Sequence, residues 1–342
     1  MARRRRVAGG VVATALLVAG CASTAVPPSG STTSSVSSLP SQAETAGATA
    51  SAAARVDILT AGATHIDVAG APDWLAVAEG SAWAAVSGGV RRIDGATGTP
   101  DGLVPIPGTI CLAFDVGFDS LWAGSCDRHL LARIDPKTGS LDTPLIELPI
   151  DGIEEEGSIG VGESGVWLIS SAHQLLRLDP VTNQVDGQWP LPASAAAVRV
   201  GLDAVWVTVP STDTLLRIDP ADPTTSKSIK VGRGPRFLAV GSDAVWVMDQ
   251  ADGSVSRVSG GGEVVATIPV SKVPIQGGDI TVGGGRVWVR IEQDLVVTID
   301  PATNGVVARY GPPSGSGSVA VDDDAAWVSA HDTSSVYRLP LR

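Results

Sequence analysis

The chain reads as an all-β fold: a seven-bladed β-propeller of four-stranded blades, closed by an N-terminal strand that completes the last blade. Three observations predict it. Trp83, Trp122, Trp167, Trp206, Trp246, Trp288 and Trp327 recur at separations of 39, 45, 39, 40, 42 and 39 residues, and a period near forty marks a repeat architecture. Each Trp lies in one frame, an alternating apolar strand, a short Gly or Asp turn and an apolar-Trp-apolar strand, as in 197–207, 238–247 and 280–289. The final copy, 318–342, supplies only three strands, while His65-Ile66-Asp67-Val68-Ala69-Gly70 near the N-terminus resembles the outer strand Ile229-Lys230-Val231-Gly232 of another repeat. The missing fourth strand of the last blade is therefore expected from residues 65–72.

In most repeats a second signature follows the Trp by nine to eleven residues, and blades five and seven keep its strand but lose the Asp, as Arg257-Val258-Ser259 and Arg338-Leu339-Pro340. Elsewhere it reads Arg92-Ile93-Asp94, Arg133-Ile134-Asp135-Pro136, Arg177-Leu178-Asp179-Pro180, Arg217-Ile218-Asp219-Pro220 and Thr298-Ile299-Asp300-Pro301. This is turn chemistry: Asp bonds the backbone ahead of it, Pro presets φ, and Gly139 or Asn304 accepts positive φ. Four short period-2 strands with no helical stretch make one sheet with two faces and two edges. Only radial stacking against neighbours buries both faces. The repeated Trp is accordingly scaffold that fills the space between blades. Trp74, outside the repeat, aligns with Phe237 in a Pro-x-aromatic-Leu-Ala-Val frame and is assigned to packing.

The segments before the ring differ in kind. Arg3 to Arg6 precede an uncharged apolar run from Val7 to Ala19, the layout of a secretory signal, and the run is too short for the ~20 residues of a membrane span. It ends in Leu17-Val18-Ala19-Gly20-Cys21, which resembles the lipobox of bacterial lipoproteins. That resemblance implies acylation at Cys21 and attachment to the outer face of the cell membrane. Residues 21–55 are rich in Ser, Thr, Ala and Pro and read as a flexible tether, which leaves 1–20 as the signal and 56–342 as the propeller.

Charge narrows the partners. The chain carries 24 Lys+Arg against 36 Asp+Glu, a net of −12, and losing Arg3 to Arg6 with a signal takes it near −16. Nucleic acid is disfavoured, because phosphate neutralisation needs clustered Lys and Arg. Acyl chains, not electrostatics, would hold the protein to lipid.

The apolar-Trp-apolar strands and Arg-Ile-Asp-Pro turns resemble bacterial propellers of the YVTN and streptogramin-lyase (virginiamycin B lyase) type, across roughly residues 70–342. The lyase branch of that resemblance implies a divalent-metal elimination using a Glu-x-His pair. No Glu-x-His occurs here, and none of the four histidines matches it. His129, His173 and His331 fall seven, six and four residues after their blade Trp, so they sit at unequal loop levels, unlike converging metal ligands. The chain has no Gly-x-Ser-x-Gly elbow, phosphate loop or His-Glu-x-x-His. Glu154-Glu155-Glu156 reads as a solvated acidic loop.

The loops joining second to third strands vary while scaffold positions repeat, and loops on a rigid scaffold carry most function. Asp127, His129, His173, Asp249, Asp252, Glu292 and His331 are therefore the candidate ligand-binding residues. The expectation is a monomeric, non-catalytic binding or scaffold propeller for an envelope protein, peptide or glycan, without cofactor and with no catalytic or metal residue assigned. The alternative is a divalent-metal lyase or related hydrolase at the channel mouth. Cys111 and Cys126 lie opposite one another across a hairpin centred on Phe118 and Asp119, and an exported protein meets oxidising conditions, so they are expected to form a disulfide.

Overall fold

The computed structural model describes residues 53–341. Arg3 to Arg6, the apolar run, Cys21 and most of the tether lie outside them. Seven sheets follow one another along the chain. Blades 1 to 6 span residues 75–105, 110–147, 159–190, 198–230, 235–269 and 279–311, each with four antiparallel strands, called A to D from the axis outward. Among the described residues the helical content is two three-residue 3-10 turns, Pro210–Thr212 and His331–Thr333.

Blade 7 is built from both ends of the ring. Val319–Val321, Ala325–Ala330 and Ser335–Pro340 give strands A to C, and Thr64–Asp67 pairs antiparallel with Ser335–Pro340 as strand D, with Ile66 opposite Val336. Ile66 and Val68 are buried against blade 1 and blade 7 residues, so the closing strand is held by apolar packing as well as by its ladder. The sequence did not foretell one addition. Arg55–Asp57 runs parallel to strand D of blade 6, Gly305–Gly311, making that sheet five-stranded. Arg55 reaches the buried carboxylate of Asp294, which also holds Arg309 at 2.8 Å.

The repeated motifs act between blades. In strand C the Arg pairs directly across from the blade Trp, as Arg133 with Trp122 and Arg257 with Trp246. Its guanidinium lies over the indole at 4.9 Å in both blades. The same group then crosses to the C–D turn of the next blade: Arg133 donates to the Pro180 carbonyl and Arg257 to the Pro301 carbonyl. The Asp of the signature closes its own turn: Asp135, two residues after Arg133, accepts at Oδ1 from the Lys137 N–H at 2.8 Å, and Asp300, two residues after Thr298, accepts at Oδ1 from Ala302 at 2.9 Å. Gly139 and Asn304 adopt φ of 74° and 55°, as that turn requires.

The glycine that ends strand A has a packing role. A Cβ on Gly162, Gly201 or Gly283 would sit 2.5 to 2.7 Å from Cγ1 of Val200, Val240 or Val321 in the following blade. Each glycine admits the next blade's valine, and this close approach sets the spacing of the ring around its axis.

Cys111 and Cys126 are bonded, with Cα atoms 5.2 Å apart. The hairpin is centred on Phe118 and Asp119 as expected, but a bulge between Ile110 and Phe114 shifts the register by two, so Cys126 donates its N–H to Thr109. The bridge thus links diagonal rather than directly opposed positions. By the chain-entropy relation a loop of this length contributes about 3 kcal/mol. A Cys111→Ala/Cys126→Ala variant should melt several degrees below the wild type, and equal melting temperatures in the two proteins would show that the bridge adds no stability.

Candidate functional site

The D–A and B–C loops share one end of the ring, which brings B–C carboxylates against D–A backbone N–H groups. Asp127 Oδ1 accepts from Thr109 at 2.7 Å, Asp213 Oδ1 from Gly234 at 3.0 Å, Asp252 Oδ2 from Arg233 at 2.7 Å and Asp332 Oδ2 from Gly315 at 3.1 Å. Glu292 does the same for Gln276, at 3.0 Å to each oxygen. The Thr109 N–H lowers the Asp127 pKa, the Gly234 N–H lowers that of Asp213 and the Arg233 N–H that of Asp252, as expected when the charged form is the bonded one. Three of the residues the sequence singled out, Asp127, Asp252 and Glu292, are therefore clasps between loops.

The histidines do not converge. His129 is exposed with φ of 55°, and its carbonyl accepts from Leu148. His173 is half-buried, with Nδ1 unpartnered, and its charge would oppose the burial that raises the Glu154 pKa. His331 is exposed and stands over Asp73, whose pKa burial raises and His331 opposes. Among the described residues no three His, Cys, Asp or Glu side chains gather at metal-ligand distances. The acidic loop also departs from a fully solvated one. Glu155 is exposed, but Glu156 turns in to Arg236 at 3.0 Å, and Ser158 Oγ donates to the Glu154 carbonyl.

Asp249 is the last residue of strand B in blade 5 and is fully buried, not presented on a loop. Its Oδ2 accepts from Ser256 at 2.6 Å, while Oδ1 has no partner. Burial pushes its pKa to about 7. The folded state therefore holds a proton that the unfolded chain releases near pH 4, so stability falls as pH rises through the window from about 4 to about 7. Asp249→Asn should remove that slope. The variant is expected to melt higher than the wild type at pH 8 and to match it near pH 4; a parallel pH dependence in the two proteins would contradict the assignment.

A second concentration of polar groups lies on the axis, carried by the strands and not by the loops. Trp74 of blade 1 and Phe237 of blade 5 meet with ring centroids 5.6 Å apart. Their blades are not neighbours, so the contact crosses the axis and closes it at the loop end. Gly157, from the long connection after blade 2, fits between them: a Cβ there would meet Phe237 and Trp74 at 3.4 Å. Below this pair a cavity of about 420 Å³ follows the axis toward the A–B turns, lined by strand A residues of every blade, Asp115, Arg199 and Asp279 among them.

Asp115 accepts from the N–H groups of Val116 and, across the blade boundary, Val161 at 2.9 Å. Asp279 accepts from Ile280 and from Ser318 Oγ at 2.7 Å in blade 7. Burial raises both carboxyls, Asp279 to about 6, against the opposing charge of Arg199. Arg199 Nη1 donates to the carbonyls of Gly157, Ile159 and Val198, and its guanidinium lies 5.8 Å from the Trp74 ring. Loop variability does not point to these groups, yet the sequence carries a signal for Asp115 and Arg199. The strand A residue paired with each blade Trp reads Ala76, Asp115, Gly160, Arg199, Ala239, Thr281 and Ala320. Two charges in that series stand out once the repeats are superposed.

No protein-family model matches the chain. No curated protein matches it either. Solved structures do. A streptogramin B lyase is 16% identical over 82% of this chain and 97% of its own, with a TM-score of 0.69. A catalytically inactive virginiamycin B lyase from Staphylococcus aureus, solved with quinupristin, is 17% identical over 82% and 99%, with a TM-score of 0.70. The WD40 repeats of RRP9 are 11% identical over 81% and 97%, with a TM-score of 0.67. Likeness at these identities spans enzymes and WD40 repeats alike, and what the chain shares with them is the seven-bladed propeller.

Proposed function

We propose that this chain is an exported lipoprotein, acylated at Cys21 on the extracytoplasmic face of the cell membrane, whose monomeric propeller binds an envelope protein, peptide or glycan without transforming it. The binding face is the end formed by the B–C and D–A loops. One observation carries the non-catalytic reading: the loop carboxylates best placed for metal or acid-base chemistry are spent on backbone N–H groups of the adjoining loop. What they leave is a pinned face whose exposed side chains differ from blade to blade, which suits recognition by preorganised surfaces. The anchor rests on the sequence alone, on the charged start, the short apolar run and the Leu-Val-Ala-Gly-Cys ending.

The fold likeness to virginiamycin B lyase keeps a metal-dependent elimination as the competing reading. The two are separated by incubating the full chain with quinupristin and Mg²⁺ and following the ligand by chromatography. Unchanged quinupristin is the expected result, and a product accumulating over many turnovers would transfer the assignment to the lyase. For the anchor, fatty-acid labelling of cells should mark the wild type and not Cys21→Ser; a labelled Cys21→Ser protein would remove the lipoprotein reading.

A further inference from the structure

The axial cavity joins three features that the loop face does not use. It is enclosed at one end by Trp74 and Phe237, which cross the axis above it. Its charged groups, Asp115, Arg199 and Asp279, come from blades 2, 4 and 6 and so approach the axis from three sides. Most of the remaining residues around it are aliphatic, valine above all, with strand A backbone exposed between them. At about 420 Å³ it falls within the range of small-molecule sites and is too small for a folded partner.

The hydrogen bonding within it is asymmetric. Arg199 commits Nη1 to three carbonyls, while Nε and Nη2 make no hydrogen bond to protein and no carboxylate lies within ion-pair distance of the group among the described residues. Two adjacent N–H donors of a guanidinium form the fork that matches a carboxylate. Asp115 and Asp279 are fixed to the wall through backbone N–H groups and Ser318, but a carboxylate offers about four lone-pair sites, and each of these has further capacity to accept. A bare anion would bring a third negative charge beside the two acids. A bare cation would leave the guanidinium fork empty. A ligand with one group of each sign satisfies both.

We propose that this chamber binds one free α-amino acid with a small or medium apolar side chain. Its carboxylate pairs with Nε and Nη2 of Arg199, its ammonium donates to Asp115 and Asp279, and its side chain lies along the valine-lined wall. The site is separate from the loop face: loss of either leaves the other standing.

The test is titration calorimetry of the full chain with glycine, L-valine and L-leucine, and with two one-charge analogues of leucine, 4-methylpentanoate and 3-methylbutylamine. The expected result is 1:1 binding of L-valine or L-leucine, at least tenfold tighter than either analogue. Arg199→Gln should weaken it by thirtyfold or more. Because Arg199 also supports three carbonyls, Thr281→Leu serves as a second variant, narrowing the chamber while leaving the charged groups in place; it should abolish binding with little change in melting temperature. Absence of binding by all three amino acids at 10 mM would overturn the proposal. So would 4-methylpentanoate binding as tightly as L-leucine, or a folded Thr281→Leu protein that binds undiminished.

Discussion

A chain beginning at Asp73 should fold poorly or aggregate, with any soluble fraction melting on the order of 15 °C or more below the full chain. It retains Trp74 and the four antiparallel strands of each of blades 1 to 6, but blade 6 loses the added Arg55–Asp57 and blade 7 loses Thr64–Asp67 and with it the partner of Ser335–Pro340. Ile66, Val68 and Ile58, all buried, go with the deleted segment. Burial of such side chains stabilises by roughly 2 kcal/mol each, and in a domain of this size 1 kcal/mol moves the melting temperature by about 2–4 °C. The uncovered strand edge adds an aggregation surface. A chain beginning at Thr64 separates the contributions: it keeps the closing strand and loses only Arg55–Asp57 and the Ile58 contact, so its melting temperature should fall in between. If the Asp73 chain melts with the full chain, Thr64–Asp67 is not what holds the ring shut.

Replacing Arg290 by Met should cost about 3–5 kcal/mol, because several buried carbonyls lose a charged donor at roughly 1–3 kcal/mol each, or roughly 10 °C in melting temperature. Arg290 is fully buried on strand B of blade 6. Its Nε donates to the Ser329 carbonyl of blade 7, Nη1 to Ile291, and Nη2 to Gly315 and Ser316 in the connection between the two blades. Met keeps most of the apolar volume and none of the donors, so the Ile291, Gly315 and Ser329 carbonyls lose their charged donor while Ser316 keeps the His331 N–H. Arg290→Lys restores the charge without the planar fork and should recover only part of the loss. A Met variant as stable as the wild type would mean that the connection holds its shape without the arginine.

Architecture was legible in the sequence because it is repeated. Seven Trp frames fix the blade count, the Asp-Pro turns fix hairpin positions, and the deficit of one strand after Ser318 points to the segment 65–72. The disulfide was legible through the hairpin centre, although the bulge before Phe114 changes which residues face each other. Arg55–Asp57 was not, since a three-residue strand preceded by a Ser and Ala run has no pattern of its own; its place comes from the Asp294 carboxylate and the free edge of blade 6.

The candidate site was legible only in outline. Variation among the B–C loops located the variable face, but composition could not distinguish a ligand-facing carboxylate from one that clasps a neighbouring loop, as Asp127, Asp252 and Glu292 do. That distinction depends on how far the D–A loop of the previous blade reaches. Asp249 stands beside Asp252 in sequence and is separated from solvent by strand B packing, which no local pattern signals.

Binding of an envelope component by the B–C and D–A loop face is the core of the proposed function. It is tested most directly by retention from envelope extract on the full chain, comparing the wild type with His129→Ala/His331→Ala on that face and Asp119→Lys/Asp203→Lys on the opposite A–B turns. The expected result is a component held by the wild type and by the A–B turn variant and lost with the two histidines. Retention that survives the histidine changes and disappears with the A–B turn variant would contradict it.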